Sequence, residues 1–113
     1  MPRDPEKYLT DILDGCRFLA EFSAGRTLRE YTMDRGFRSA VERELQIIGE
    51  ALMILARVAP LLAERISEIQ RIIRFRHVLV HGYAELDHEI VWTLLRHKLP
   101  ILRSEIEELM KGK

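Results

Sequence analysis

Between residues 37 and 58 the chain keeps a helical period almost without interruption, and the arc of apolar side chains it carries limits every fold open to it. Val41, Leu45, Ile48, Leu52 and Leu55 fall on one line of such a helix, with Ile47, Ala51, Ile54 and Val58 on the line beside it. An arc that wide needs partners on two sides. The helix is therefore expected at the centre, packed within the chain on one flank and available to a second subunit on the other.

The same period runs through the other segments, and no stretch alternates for long like a half-buried strand. A first helix is predicted from Asp4 as N-cap and Pro5 as first helical residue, burying Leu9, Ile12, Leu13, Cys16, Leu19 and Ala20 and ending at SAGRT around Gly25. Residues 27–33 read as a short helix or turn, and Gly36 as a break before the long helix. After Pro60, residues 61–65 suit a single turn, Ser67 and Gln70 have the form of a capping box, and a helix over 68–81 is stopped by Gly82. Asp87 caps a last helix through Trp92, Leu95 and Leu99; Pro100 kinks or restarts it, while Leu102, Ile106 and Leu109 keep the register. The expected fold is an all-α bundle of four or five helices forming one domain over 1–113.

Composition narrows the setting. Of 113 residues, 47% are hydrophobic and 32% charged, the mixture of a globular chain rather than a disordered one. No apolar run approaches the roughly 20 residues needed to span a bilayer, and MPRDPEKYLT lacks an apolar signal core, so no membrane association and a cytoplasmic location are expected. A lone Cys16 builds no disulfide framework, in keeping with a reducing compartment. The 18 basic residues balance 18 acidic ones, which argues against broad electrostatic wrapping of nucleic acid. The distribution is uneven, however: Arg65, Arg71, Arg74 and Arg76 meet only Glu68 between residues 65 and 81, and the SEIEELM stretch is acidic.

Within that basic segment, RFRHVLVHGY (residues 74–83) breaks the apolar pattern. Along Ile69, Ile73, Arg76, Val80 and Tyr83, spaced 4, 3, 4 and 3 apart, Arg76 stands where an aliphatic residue is due. A guanidinium keeps its charge, so it must meet a carboxylate (Glu44 or Glu50 on the central helix), a phosphate or water. His81 lies about 140° around the helix from Arg76, so one straight helix does not bring them together. Either the chain unwinds at Gly82, or two copies meet across a two-fold axis and line one cleft; the spare apolar surface of the central helix favours the second. His77 and His81 have the four-residue spacing of a metal-binding pair, but Cys16 reads as core and His88 opens a new helix, so no third ligand is evident. Taken alone, His81 also suits a helix C-terminus, and Tyr83 an apolar stop after Gly82.

Together with ERELQIIGEA, LDHEIVW and KLP, this stretch resembles the HepT-type toxins of the HEPN superfamily, over residues 8–109. The resemblance implies a helical homodimer and a metal-independent ribonuclease with no cofactor, built on an R-x-x-x-x-H-x-Y motif. By position, the motif residues are Arg76, His81 and Tyr83. His77 stands where the family usually has Asn, and Glu50 is expected to support the motif. The implied chemistry uses the ribose 2′-OH as nucleophile, His81 as general acid or base and Arg76 as phosphate clamp, giving a 2′,3′-cyclic phosphate and a 5′-hydroxyl. The implied partner is an MntA-type nucleotidyltransferase antitoxin that moves AMP from ATP onto Tyr83, assembling with the dimer as a hetero-oligomer. In a continued helix Tyr83 would lie about 20° from alignment with Arg76, so an adenylate there would bring a phosphate to the arginine. The departure at His77 and the neutral net charge also fit another role: a catalytically silent helical module that docks the nucleotidyltransferase or senses nucleotide.

Overall fold

The Asp4 carboxylate accepts a hydrogen bond from the Glu6 N–H, and Pro5 takes the first helical position, where no N–H is required. From that start the computed structural model describes residues 4–82 and 86–112. The elements are α1 (Pro5–Phe22), α2 (Leu28–Met33), α3 (Arg35–Val58), α4 (Pro60–Ala63), α5 (Ile69–His81), α6 (His88–Thr93) and α7 (Leu99–Lys111), with no strand among the described residues. Four long helices and three short ones make the expected all-α bundle. No described helix is long and apolar enough to cross a membrane.

The central position of α3 follows from its pattern. It packs along α1 on one side and α5 on the other, and α7 lies against α1. Val41, Leu45, Ile48, Leu52 and Leu55 are all buried, as is Ala51, whereas Ile47, Ile54 and Val58 stay half-buried. The second apolar line is therefore only partly covered within the chain.

Two consecutive residues of α3 set how closely its neighbours approach. A Cβ on Gly15 of α1 would stand 2.8 Å from Ile48 Cγ1, and one on Gly49 would meet the Arg76 Cβ of α5. Both are closer than real Cβ contacts allow. α1 thus docks onto α3 through Gly15, and α5 docks through Gly49 with the aliphatic stem of Arg76 lying across it.

Several local expectations need correction. Gly36 does not interrupt the chain; it sits in the first turn of α3, which starts at Arg35 because the Asp34 carboxylate caps the Phe37 N–H at 3.0 Å. Ala20 is exposed, just outside the stripe of α1 that buries Leu9, Ile12, Leu13, Cys16 and Leu19. The Ser67 capping box does not form: Glu68 takes the N-cap position without a side-chain bond, and the Ser67 N–H turns to the Glu105 carboxylate of α7 at 3.2 Å. The long-range bond has displaced the local one.

Between α6 and α7 the helix widens into a π turn over Leu94–Lys98, just before Pro100. Pro100 offers no N–H and its ring collides with the carbonyl of a regular preceding turn, so the wider turn accommodates it. Leu95, Leu99, Leu102, Ile106 and Leu109 remain buried in one register across this defect. Arg96 within it donates to the carbonyls of Ser23 and Arg26 and lies over the Trp92 ring, tying the end of α1 to α6. Near it, Tyr31 is fully buried and donates its hydroxyl to the Glu42 carboxylate at 3.2 Å.

Candidate functional site

α5 carries the motif, but it turns differently from the seam read in the sequence. Its buried residues are Ile69, Ile72 and Leu79, with Phe75 half-buried beside them. Ile73 is half-buried and Val80 is 39% exposed. Arg76 consequently lies at the edge of the buried face rather than in its middle. Packing on α3 selected a stripe rotated from the predicted one, because the Gly49 notch receives the Arg76 stem.

At that edge Arg76 donates from one terminal nitrogen to the Glu50 carboxylate at 2.8 Å. The arginine side chain is 22% exposed and the glutamate 57%, so the pair sits at a rim. The Arg76 Nε is buried and has no hydrogen-bond partner among the described residues. Of the two acids considered from sequence, Glu50 and not Glu44 holds the arginine. Next to the pair is a groove of about 410 Å³ between α1 and α3, lined by Tyr8, Arg43, Ile47, Ala51 and Ile54 among others. It coincides with the half-covered second line of α3.

The histidines lie elsewhere on α5. His77 and His81 are both exposed, their rings 4.6 Å apart between centroids and tilted by 50°. His81 is the last helical residue; Gly82 follows as C-cap, its N–H donating to the Val78 carbonyl at 2.7 Å. The helix thus stays wound to His81, and the five-residue step from Arg76 keeps the two motif side chains on different sides of it. The structure groups Arg76 with Glu50 and His77 with His81, and it does not bring the two groups together within one chain. No third His, Cys, Asp or Glu joins the histidines as a metal-binding group among the described residues. Tyr83 lies outside the described residues.

The arrangement offers specific chemistry. With one arm held by Glu50, the guanidinium is fixed in orientation while other N–H groups remain to grip an anion. The histidines present imidazole nitrogens to solvent at the end of the same helix. Sequence reasoning missed Gly49, although a glycine inside a strongly apolar helix, where it costs about 1 kcal/mol relative to alanine, was a signal of close approach.

A family model described as "Ribonuclease HepT-like" matches residues 12–109. A protein of Methanocaldococcus jannaschii named as an RNase is 32% identical, the match covering 98% of this chain and 92% of the relative. Another so named, from Caldanaerobacter subterraneus, is 29% identical with 96% of each chain covered. A protein of Thermococcus cleftensis named as a ribonuclease HepT is 29% identical, over 98% of this chain and the whole of that protein. No solved structure matches the chain.

Proposed function

Because this chain belongs to the HepT-like ribonuclease family, we propose that it acts as a metal-independent endoribonuclease toxin whose working site forms between two copies. The carrying observation is the fixed Arg76 at the α3–α5 junction, oriented by Glu50, with exposed His81 ending the same helix on another side. One chain holds the parts apart. With α5 wound through His81, unwinding at Gly82 does not reunite them, and a two-fold pairing along the half-covered face of α3 supplies the missing proximity.

In the assembled cleft, the ribose 2′-oxygen attacks the adjacent phosphorus as its proton passes to a His81 imidazole. The bond to the 5′-oxygen breaks, and that oxygen takes a proton from a protonated imidazole, the partner subunit's His81 being the available second group. Arg76 grips the phosphoryl oxygens as negative charge builds on them. The products are a 2′,3′-cyclic phosphate and a 5′-hydroxyl, and DNA, lacking the 2′-OH, is not cut. His77 stays beside His81 and supports its orientation.

Regulation falls to Tyr83 and an MntA-type nucleotidyltransferase antitoxin. The Tyr83 oxygen attacks the α-phosphorus of ATP, pyrophosphate leaves, and the resulting adenylate fills the cleft with a phosphate that Arg76 attracts. Toxin and antitoxin would then form a hetero-oligomer around the dimer in the cytoplasm. The Arg76–Glu50 pair also favours a second reading, in which the arginine is structural and the protein is a silent module that docks the nucleotidyltransferase or senses nucleotide.

RNA cleavage by protein expressed without the partner separates the two. The toxin reading expects cleavage in EDTA, cyclic-phosphate and 5′-hydroxyl ends, and a mass increase on Tyr83 with loss of cleavage when the partner and ATP are added. Clean, dimeric, unmodified protein that leaves mRNA and tRNA pools intact would establish the docking module instead.

A further inference from the structure

A second groove is larger than the one beside Arg76. It lies between α5 and α6, encloses about 650 Å³, and its lining includes Arg71, Arg74, Phe75, Val78, Glu89 and Ile90. Two of its apolar residues stand unusually open, Val78 at 39% and Ile90 at 57% exposure. The α5 wall is basic, since both Arg71 and Arg74 are exposed. Among the described residues Arg71 makes only a long contact of 3.6 Å to Glu68, open to solvent and easily exchanged for another anion. The opposite wall carries two acids and one base: Asp87 accepts the Glu89 N–H as helix cap, Glu89 is exposed, and Lys98 pairs with Glu68 at 3.2 Å.

The α5 wall of this groove belongs to the helix that ends at His81. Arg74 and His81 are seven residues apart on one unbroken helix, which places them within about 20° of each other around it and roughly 10.5 Å apart along its axis. A stacked strand covers that distance in about three nucleotides at ~3.4 Å each. Arg71 lies about 4.5 Å further back along the axis and about 60° around the helix from Arg74, on the neighbouring ridge.

We propose that the α5–α6 groove seats the single-stranded RNA flanking the cleavage point, with Arg71 and Arg74 contacting successive phosphates and a base resting on Phe75, Val78 and Ile90. The proposal rests on the ribonuclease reading and extends it to residues outside the motif. Charge decides the strand's placement: phosphates follow the α5 wall and turn away from Glu89, while the apolar floor receives a base face. A polyanion with flat apolar faces fits a groove with one basic wall and an open apolar floor. Arg71 and Arg74 become substrate-positioning residues, and they account for the basic run that the neutral total charge conceals.

The test measures binding of an unstructured fluorescent 12-nucleotide RNA to the intact protein, in a His81→Ala background so that the probe survives, across a salt series. Substituting Arg71→Gln and Arg74→Gln together should weaken binding about tenfold or more at low salt and reduce the slope of log affinity against log salt by about 1.4, roughly 0.7 for each lost phosphate contact. Arg74→Lys should keep the slope. Ile90→Asp should weaken binding while the Arg74→Lys slope stays normal, with circular dichroism and melting temperature showing each variant folded. Unchanged affinity and slope in the folded double variant, while the parent sequence with His81 restored cleaves RNA, overturns the groove assignment and leaves the ribonuclease reading standing. Groove variants that keep RNA binding but change self-association or partner capture overturn it too, by assigning the groove to a protein. A protein that neither binds nor cleaves RNA removes both readings.

Discussion

Along the contact of α1 with α3, apolar lines meet apolar lines: Leu9, Ile12 and Leu19 on one helix and Val41, Ile48 and Leu52 on the other are fully enclosed. Along α5 and α6 the same helical period leaves Val78, Val80 and Ile90 open and places an arginine at the edge of the buried stripe. Both regions are helices docked through a glycine, yet what enters the notch differs. Gly15 admits an isoleucine, and Gly49 admits the stem of a guanidinium. The first region holds the bundle together; the second uses the bundle as a rigid support for charged and ionisable groups. Substitutions in the first should therefore act on stability and those in the second on RNA cleavage, with Gly49 belonging to both.

The sharpest way to break this division is Arg76→Ala. Removing the proposed phosphate clamp should lower cleavage by about 10²–10³-fold, the range for loss of one preorganised transition-state donor. The Glu50 carboxylate is 57% exposed, so losing the pair costs little, and truncating the stem that packs on Gly49 should lower the melting temperature only modestly; a large loss of stability with cleavage intact would return Arg76 to a structural role. Next in size, Ile48→Ala should destabilise the fold by about 2–5 kcal/mol in urea unfolding while leaving the cleavage rate of the folded fraction unaltered. Gly49→Ala should cost about 1–3 kcal/mol and also reduce cleavage, since the new Cβ displaces Arg76 directly. A neutral Gly49→Ala variant would mean that α5 is free to slide.

The smallest effect belongs to Cys16. Burial pushes its thiol from an ordinary value near 9 up to about 12, so the fold favours the neutral form. The associated stability is complete below about pH 9 and is lost as pH rises toward 12. Alkaline melting should show a decline that Cys16→Val makes shallower, and the native thiol should resist alkylating reagents at pH 8 until the chain unfolds.

Much of this division was legible in the sequence. The stripe from Val41 to Leu55, the caps Asp4 and Asp87, and the stop at Gly82 depend on local periodicity or turn chemistry, and they stand where expected. The oddity of Arg76 was equally visible, because a charge in an apolar seam has few partners, and Glu50 was one of two acids within reach. What failed depended on distant contacts. Ser67 lost its capping box to Glu105, thirty-eight positions away, and α5 rotated its buried stripe onto Ile72 and Leu79 to fit Gly49. The π turn was foreshadowed by Pro100, although its width was not. The groove between α5 and α6 draws on two helices at once, so neither helix's pattern revealed it.

The measurement that tests the central claim most directly is RNA cleavage by His81→Ala beside the wild type, with melting temperature and dimerisation followed on the same samples. The account predicts an unchanged fold and dimer with cleavage reduced by about 10²–10⁴-fold, the usual contribution of a general acid or base. Cleavage at the wild-type rate by a folded His81→Ala dimer would contradict it.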